Sequence, residues 1–367
     1  MNVESKLVQI RKSREISASE LARRVAVSRQ TIYAIEAGTY VPNTEVALRL
    51  ARELQVSVDE LFSLKDTPAE AGRLLQAEVL STVKPPKGQP VRIGQVGARW
   101  VSVPVSAVPY YLPEADGVLQ TGAGTNLMVF DKGEAAQKRL VVAGCDPATA
   151  ILARMVERAS GVEIVSAGAP SKLALTWVAD GKAHIAGSHL EDAKTGEFNL
   201  PFLRKQFPGE DFAVVTFARW EEGWVVQSGN PKGVRNAQDL AGKDVRFVNR
   251  EPGSGSRGLL DRLLTKAGVE TARVQGYNRI APGHLAAAYS VVSGEADVCL
   301  ATRSAAQCFG LDFVPLHSER YDLVMRRKTA DLPAVKAFLD VLQRGELRRK
   351  LETLAGYDTA ESGRVVA

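Results

Sequence analysis

Apolar residues in the first 62 positions recur at helical spacing. Leu7 and Ile10 are followed by Leu21, Ala22 and Val25, then Ile32 and Ile35, then Val46, Ala47, Leu50 and Leu54, with Val58, Leu61 and Phe62 closing the series. Steps of three and four residues place these side chains on one face of successive helices, so the pattern predicts five short helices around one small core. The polar start MNVESKLVQIRKS is expected to run straight into the first helix. Ser28 is placed to cap the third helix, Gly38 to end it, and Pro42 to break the chain before Asn43-Thr44 opens the fourth. The turn Val25-Ala26-Val27-Ser28 separates two amphipathic segments, and the second carries Arg29, Gln30 and Thr31 in its first turn. A recognition helix presents side chains to base edges in the major groove from that position.

The pattern then changes twice. Residues 66–90 are polar, end in Lys84-Pro85-Pro86-Lys87-Gly88, and are expected to form a linker. Residues 91–138 alternate short β-branched and aromatic runs with Gly and Pro, which predicts a small β-rich connector. From Arg139 strands and helices alternate. Strands are expected at 139–143, 162–167, 184–186, 212–218, 223–227, 246–249, 298–301, 313–317 and 321–325, with helices at 147–158, 171–179, 257–267, 284–293 and 303–309. Alternation of this size predicts doubly wound α/β lobes.

Composition narrows the function classes. Hydrophobic residues make up 45% and charged residues 24%, the balance of a globular chain. The net charge of +5 is mild, and residues 1–65 hold ten Lys/Arg against eight Asp/Glu, so any DNA footprint must come from local placement of charge. No apolar run approaches the roughly 20 residues that span a bilayer, and the polar N-terminus is not a secretory signal. Cys145, Cys299 and Cys308 lack CxxC spacing and an even count, which fits reduced thiols in a cytoplasm better than disulfides or a zinc site. The four histidines form no HxxxH or HExxH pair, so neither a metal nor a cofactor is expected.

Three strand-to-helix junctions are rich in small donors: Ala143-Gly144-Cys145-Asp146-Pro147, Ala186-Gly187-Ser188-His189, and Arg250-Glu251-Pro252-Gly253-Ser254-Gly255-Ser256-Arg257. Unsatisfied amides and the positive end of a helix dipole attract anions there, and several such ends converging on one cleft would bind a desolvated oxyanion. The third junction lacks the Gly-Lys-Ser/Thr of a P-loop. Alone, each is more often a cap. Asp146 is more often an N-cap than a catalytic carboxylate, and His189 and His284 are more often packed than general bases. Arg250 beside a glycine turn has the reach to hold an anion.

The stretch SASELARRVAVSRQTIYAIEAG closely resembles the Xre/Cro-type helix-turn-helix domain, with one departure: Ala18 stands where that family commonly carries glutamine. The resemblance implies that the helix from Ser28 enters the major groove. Arg29 and Gln30 are then expected to read bases, Thr31 and Tyr33 to touch base methyls or backbone, and Arg11, Arg23, Arg24 and Asn43 to contact phosphates. A homodimer on a pseudo-palindromic double-stranded site is expected, because one such domain makes few contacts. Residues 139–367 resemble the molybdate-binding-like type II periplasmic binding protein fold. The resemblance is carried by VAGCDPATAILAR, HIAGSHLEDAKTGEFNLPFL, RFVNREPGSGSRGLLDRLL, HLAAAYSVVSGEADVCLA and GLDFVPLHSERYDLVM. It implies lobe one at about 139–216 and 320–367 and lobe two at about 217–319, hinged near 217–222 and 318–322. The ligand would lie between the lobes, against Gly144, Cys145, Asp146, Ser188, His189, Ser254, Gly255 and Ser256, with Arg250, Gly253 and His284 close by. A thiol at Cys145 donates more weakly than the serine commoner there, and Asp146 repels a dianion unless it accepts a ligand proton.

The resulting expectation is a multidomain chain: an all-α helix-turn-helix head at 1–65, a linker, a β-rich connector and an α/β two-lobed body. It would act as a cytoplasmic, ligand-responsive transcription regulator that senses a small anion, whether an oxyanion or an organic acid. Three alternatives stay open: a body sensing a non-anionic metabolite, a body serving only dimerisation, and an enzyme on the same scaffold.

Overall fold

The computed structural model describes residues 3–64, 73–106, 112–121, 125–130, 135–242 and 244–367. The chain divides into two compact units, Met1–Gly72 and Arg73–Ala367.

The first unit contains helices α1 (Leu7–Ser13), α2 (Ala18–Arg24), α3 (Arg29–Glu36), α4 (Thr44–Leu54) and α5 (Val58–Leu61). Each start after the first is set by a side-chain cap that satisfies an orphan amide. Ser17 accepts from Glu20 N, Ser28 from Thr31 N and Asn43 from Val46 N, while Ser57 and Glu60 form a reciprocal capping box. Leu7, Leu21, Ile32, Ile35, Leu50 and Leu61 are fully buried and form the shared core. Ala26 takes φ +58° in the turn between α2 and α3, a left-handed conformation usually left to glycine. The N-terminus departs from expectation. Val3–Ser5 is a strand, paired antiparallel with Phe62–Leu64, and this two-stranded tie joins the two ends of the head.

In the second unit, six strands form one sheet in the order Arg73–Gln76, Asn126–Val129, Gly117–Leu119, Pro90–Val96, Arg99–Pro104, Glu78–Val79. The expected linker therefore carries two strands of this sheet, Arg73–Gln76 and Glu78–Val79, and residues 65–72 lie outside the described residues. The sheet is joined to the body by buried charge. Arg139 donates to Asp116 Oδ2 at 2.7 Å and to the Ile93 carbonyl at 3.1 Å, and Arg92 and Arg139 both pair with Glu163.

The body is built on an eight-stranded sheet in the order Ile164–Gly168, Leu140–Gly144, Ile185–Ser188, Asp312–Arg326, Phe212–Val226, Val298–Thr302, Phe247–Arg250, Ile280–Ala281. Adjacent residues of single strands feed different cores. Leu140 and Val142 pack on one face of the sheet and Val141 and Ala143 on the other; Val298 and Leu300 likewise oppose Cys299 and Ala301. This two-sided burial explains why the strands read as unbroken apolar runs. The first three strands, with helices Thr149–Ser160, Ser171–Ala179 and the C-terminal helices, make lobe one. The last three, with helices Gly255–Ala267 and Gly283–Val292, make lobe two.

The middle of the sheet differs from the sequence expectation. The segments 212–218 and 223–227 form one 15-residue strand, and 313–317 and 321–325 form another. The two strands pair antiparallel from Phe212↔Arg326 to Val226↔Asp312, with register shifts between Thr216/Ala218 and Glu222/Gly223. The charged residues that seemed to interrupt them are interior positions of a ribbon shared by both lobes.

His184 supplies a stability test. Its Nδ1 accepts from Val141 N–H at 2.9 Å, and burial pulls its pKa down to about 4. The unfolded chain binds a proton at about pH 6.5 that the folded chain refuses. Stability is therefore full above that pH and is lost progressively as the pH falls toward 4, by roughly 2 kcal/mol at pH 5. Asp146, Glu222 and His189, whose pKa values burial or neighbouring charges raise, shift stability the opposite way, so the test is a difference. Between pH 7 and pH 5 the wild type should lose roughly 2 kcal/mol relative to His184→Asn, whose amide keeps an acceptor, in denaturant unfolding. Equal losses would assign the effect to another group.

Candidate functional site

Helix α3 presents Arg29, Gln30 and Tyr33 to solvent, with Thr31 partly exposed. Arg29 donates to Tyr33 Oη from Nη2 at 2.9 Å and Nε at 3.2 Å, and its guanidinium lies 5.2 Å from the ring centroid. The pair holds a planar donor fork at the start of the helix, where it can reach a guanine edge. The Ser28 hydroxyl is engaged as the cap and shares a hydrogen bond with Thr31 Oγ1 at 2.8 Å. Arg23 stays exposed, with only a 3.4 Å pair to Glu20. Arg24 is held at 2.8 Å by both Glu20 and Glu53. Asn43 is exposed and its carbonyl caps α4.

Arg11 corrects the expectation of a phosphate contact. It is 9% exposed and bonds to Glu36 at 2.6 and 3.2 Å and to the Ile16 carbonyl at 2.8 Å, so it has no free edge for DNA. Ala18 is buried at the first position of α2 and belongs to the core.

In the body, the expected ligand residues divide among three surroundings instead of converging on one. Gly144, Cys145 and Asp146 line an interlobe cleft of about 280 Å³ with Gly168–Pro170, Glu251 and Pro282–Ala286, including His284. His189, Gly253, Ser254 and Gly255 line a second cavity of about 270 Å³ with Lys172, Glu191 and Glu319. Ser188, Arg250 and Ser256 line neither, and their polar groups are used internally. Ser188 donates to Asn199 Oδ1 at 2.7 Å, and Asn199 in turn donates to Asp322. Arg250 forks onto Glu251 at 2.9 and 3.0 Å, which leaves it no free edge for an anion. Ser256 donates to Glu222 at 2.8 Å. Ser254 acts as a cap, accepting from Arg257 N at 3.2 Å. The two lobes meet along the second cavity, where Lys172 N–H donates to Gly253 O at 3.3 Å and Arg262 pairs with Glu191 at 2.7 Å.

The junction residues surround a buried polar cluster. His189 Nε2 lies 3.7 Å from Cys145 Sγ, and His284 Nε2 lies 3.9 Å from the same sulfur. His189 Nδ1 is bonded to Glu319 and lies 3.8 Å from Glu222 Oε1. Glu222 Oε1 is also 3.8 Å from His284 Nε2, while Glu222 Oε2, His284 Nδ1 and Asp146 Oδ2 are buried without a hydrogen-bond partner. Asp146 Oδ1 accepts from Ala148 N at 2.6 Å and from Tyr357 Oη at 3.0 Å. Trp220 packs beside His189, His284, Tyr321 and Tyr357, with ring centroids 4.6–5.7 Å away.

Burial governs the charges of this cluster. It raises the Asp146 carboxyl to about 7 against the bonds from Ala148 and Tyr357. Burial and the Glu319 charge together raise Glu222 to about 7. For His189 burial favours the neutral ring, but the Glu319 charge and the hydrogen bonds to Cys145 and Glu319 outweigh it and hold the pKa well above the usual value. His284 is pushed well below it by burial, then by Arg250 and His189.

Glu222, Glu319, Trp220, Tyr321 and Tyr357 were not singled out from the sequence. The two glutamates sit in short charged runs at 219–222 and 317–322, flanked by apolar strand residues, and that local pattern gave no sign of their burial.

A helix-turn-helix head followed by a two-lobed α/β body with an interlobe cleft defines a DNA-binding protein joined to a binding-protein module. The chain matches the PBP superfamily domain over residues 153–343 and Helix-turn-helix over residues 7–61. It belongs to the PBP superfamily, with a helix-turn-helix domain in the same chain. The uncharacterised protein YvgK of Bacillus subtilis is 36% identical over 227 residues, covering 62% of this chain and 73% of that protein. An uncharacterised HTH-type transcriptional regulator of Methanocaldococcus jannaschii, MJ0272, is 34% identical over 64 residues, 17% of this chain and 97% of that one. Among solved structures, a protein of Clostridium perfringens described as a phosphate transporter substrate-binding protein with bound phosphate aligns with a TM-score of 0.47. The two are 16% identical, and the match covers 60% of this chain and 98% of that one. Among the described residues no helix is long and apolar enough to cross a membrane.

Two outcomes follow from this geometry. A Cβ on Gly255 would lie 2.5 Å from the His189 ring, which Glu319 and Cys145 already hold. Gly255→Ala should therefore destabilise the body by about 1–3 kcal/mol in denaturant unfolding, although alanine ordinarily favours a helix start over glycine. An unchanged midpoint would mean that His189 is free to move. On DNA selected from random duplexes, Arg29→Ala should cost about 1–3 kcal/mol and relax preference at one base pair. An equal loss on every sequence would make Arg29 a phosphate contact.

Proposed function

We propose that the chain is a ligand-responsive transcription regulator working as a homodimer on a pseudo-palindromic DNA site in the cytoplasm, where its DNA lies. The observation that supports it most directly is the cleft of about 280 Å³, whose walls come from both lobes, in a chain that also carries an exposed recognition helix. A ligand touching Gly144–Asp146 on one side and Glu251 and His284 on the other binds the closed arrangement better than an open one. That difference in affinity is what shifts a conformational population. The ribbon strands give the lobes a common hinge at their register shifts.

The effector is a small organic acid that also carries a hydrogen-bond donor. Helices starting at Ser171 and Gly283 direct their positive ends toward the cleft, which supports an anionic group. Asp146, with its unpartnered Oδ2, and Glu251 line the same cleft from opposite lobes, and they disfavour a bare molybdate- or sulfate-like dianion. The body acts as a receptor and not as an enzyme. Cys145, His189 and Glu319 stand in the order of a nucleophile, base and orienting group, but the Cys145 amide donates to Tyr321 Oη at 3.4 Å and is not free for an oxyanion.

A melting-temperature panel of molybdate, tungstate, sulfate, phosphate, hydroxy acids and amino acids tests this reading. A fitting organic acid at 100 times its dissociation constant should add about 2.7 kcal/mol of stability, and Asp146→Ala should abolish the shift. Shifts from the inorganic oxyanions alone would overturn the organic-acid assignment, and shifts from none of the panel would favour a body that serves only dimerisation.

A further inference from the structure

The cluster at the floor of the cleft has the donor set and spacing of a metal centre. Cys145 directly follows a strand of lobe one, His189 follows another strand of lobe one, and His284 stands in the first turn of a helix of lobe two. One donor atom from each of these residues lies within 4.8 Å of the other two. A tetrahedral ion with a Zn–S bond of about 2.3 Å and Zn–N bonds of about 2.0–2.1 Å sets its sulfur about 3.6 Å from each nitrogen. The observed separations of 3.7 and 3.9 Å match that edge.

The surroundings fit as well. The Glu319 carboxylate engages His189 Nδ1 and leaves Nε2, which faces the sulfur, as the nitrogen that would give up its proton to an ion, the outer-sphere arrangement found behind metal-bound histidines. Glu222 is fully buried with one oxygen unpartnered, and its neighbour Arg250 is already taken by Glu251. A dication balances that charge. A thiolate with two imidazoles suits a borderline-soft ion such as zinc rather than magnesium or calcium.

We propose that Cys145 Sγ, His189 Nε2 and His284 Nε2 bind one zinc-class divalent ion, with the fourth position open to the interlobe cleft. A catalytic triad on the same cysteine is the competing assignment. It leaves the second imidazole without a role, whereas a metal uses both. Because two donors come from lobe one and one from lobe two, the ion ties the lobes together, and a carboxylate-bearing effector in the cleft completes its coordination. This last consequence rests on the receptor reading above; the binding of the ion does not.

Cobalt titration of the reduced, chelator-stripped full chain tests the proposal without DNA or effector. One equivalent of Co²⁺ should bring up a thiolate-to-cobalt charge-transfer absorption, and stoichiometric Zn²⁺ should remove it. Cys145→Ser, nearly isosteric, should lose the band while keeping the wild-type circular dichroism, and His284→Gln should weaken binding. Glu319→Gln should lower affinity about 10–100-fold with the band retained. Absence of the band in folded protein, or its survival in Cys145→Ser, would overturn the proposal. So would alkylation of Cys145 at the same rate with and without Zn²⁺. If no metal binds while an organic acid still shifts the melting temperature, the metal centre falls and the receptor reading stands.

Discussion

The antiparallel pairing of Phe212–Val226 with Asp312–Arg326 is the interaction on which the body depends. Each strand is 15 residues long and belongs to both lobes, so neither lobe can form its sheet without the other. The ribbon also delivers the cluster at the cleft floor. Trp220 and Glu222 come from one strand, and Glu319 and Tyr321 from its partner. The register shifts beside Thr216 and Glu222 give bending a place to occur without loss of the whole ladder.

Once the ribbon is formed, the chemistry of the cleft follows from burial. Glu222, Glu319 and Asp146 are withdrawn from water, and with His189 and Arg250 they form a network in which each charge depends on a neighbour. Glycines hold the backbone close to it. A Cβ at Gly187 would meet Tyr321 Oη at 2.0 Å, and one at Gly144 would meet it at 2.5 Å. The glycine-rich junctions therefore serve the packing of Tyr321 and His189 as much as any ligand. Their helix starts favour negative charge in the cleft, and the carboxylates around them oppose it, the balance on which the proposed effector with both an acid and a donor rests.

The head was legible almost element by element, because its helix starts carry local caps and its core repeats at helical spacing. The exception was the tie at Val3–Ser5, whose partner Phe62–Leu64 lies at the far end of the head. Arg11 failed as a phosphate contact for the same kind of reason, since Glu36 is 25 residues away in sequence. In the body, alternation gave the lobes, while the charged residues at 219–222 and 317–320 made two long strands look like four short ones. Cysteine and histidine spacing gave no sign of a metal site, because residues 145, 189 and 284 meet only through the fold. Burial of Glu222 and Glu319 is a long-range property that no local pattern encodes.

The central claim is that the arrangement of the lobes governs the binding of DNA. A disulfide can hold that arrangement without knowledge of the effector. A Cβ on Gly253 would stand 3.6 Å from Lys172 Cβ, within the separation that a disulfide spans. The direct measurement is the affinity of Lys172→Cys/Gly253→Cys, with Cys308→Ser to remove the exposed thiol, for DNA selected from random duplexes, oxidised and reduced. Coupling between cleft and head predicts affinities differing by about 5-fold or more between the two states. Equal affinities, with the disulfide formed and the protein folded, would contradict the account.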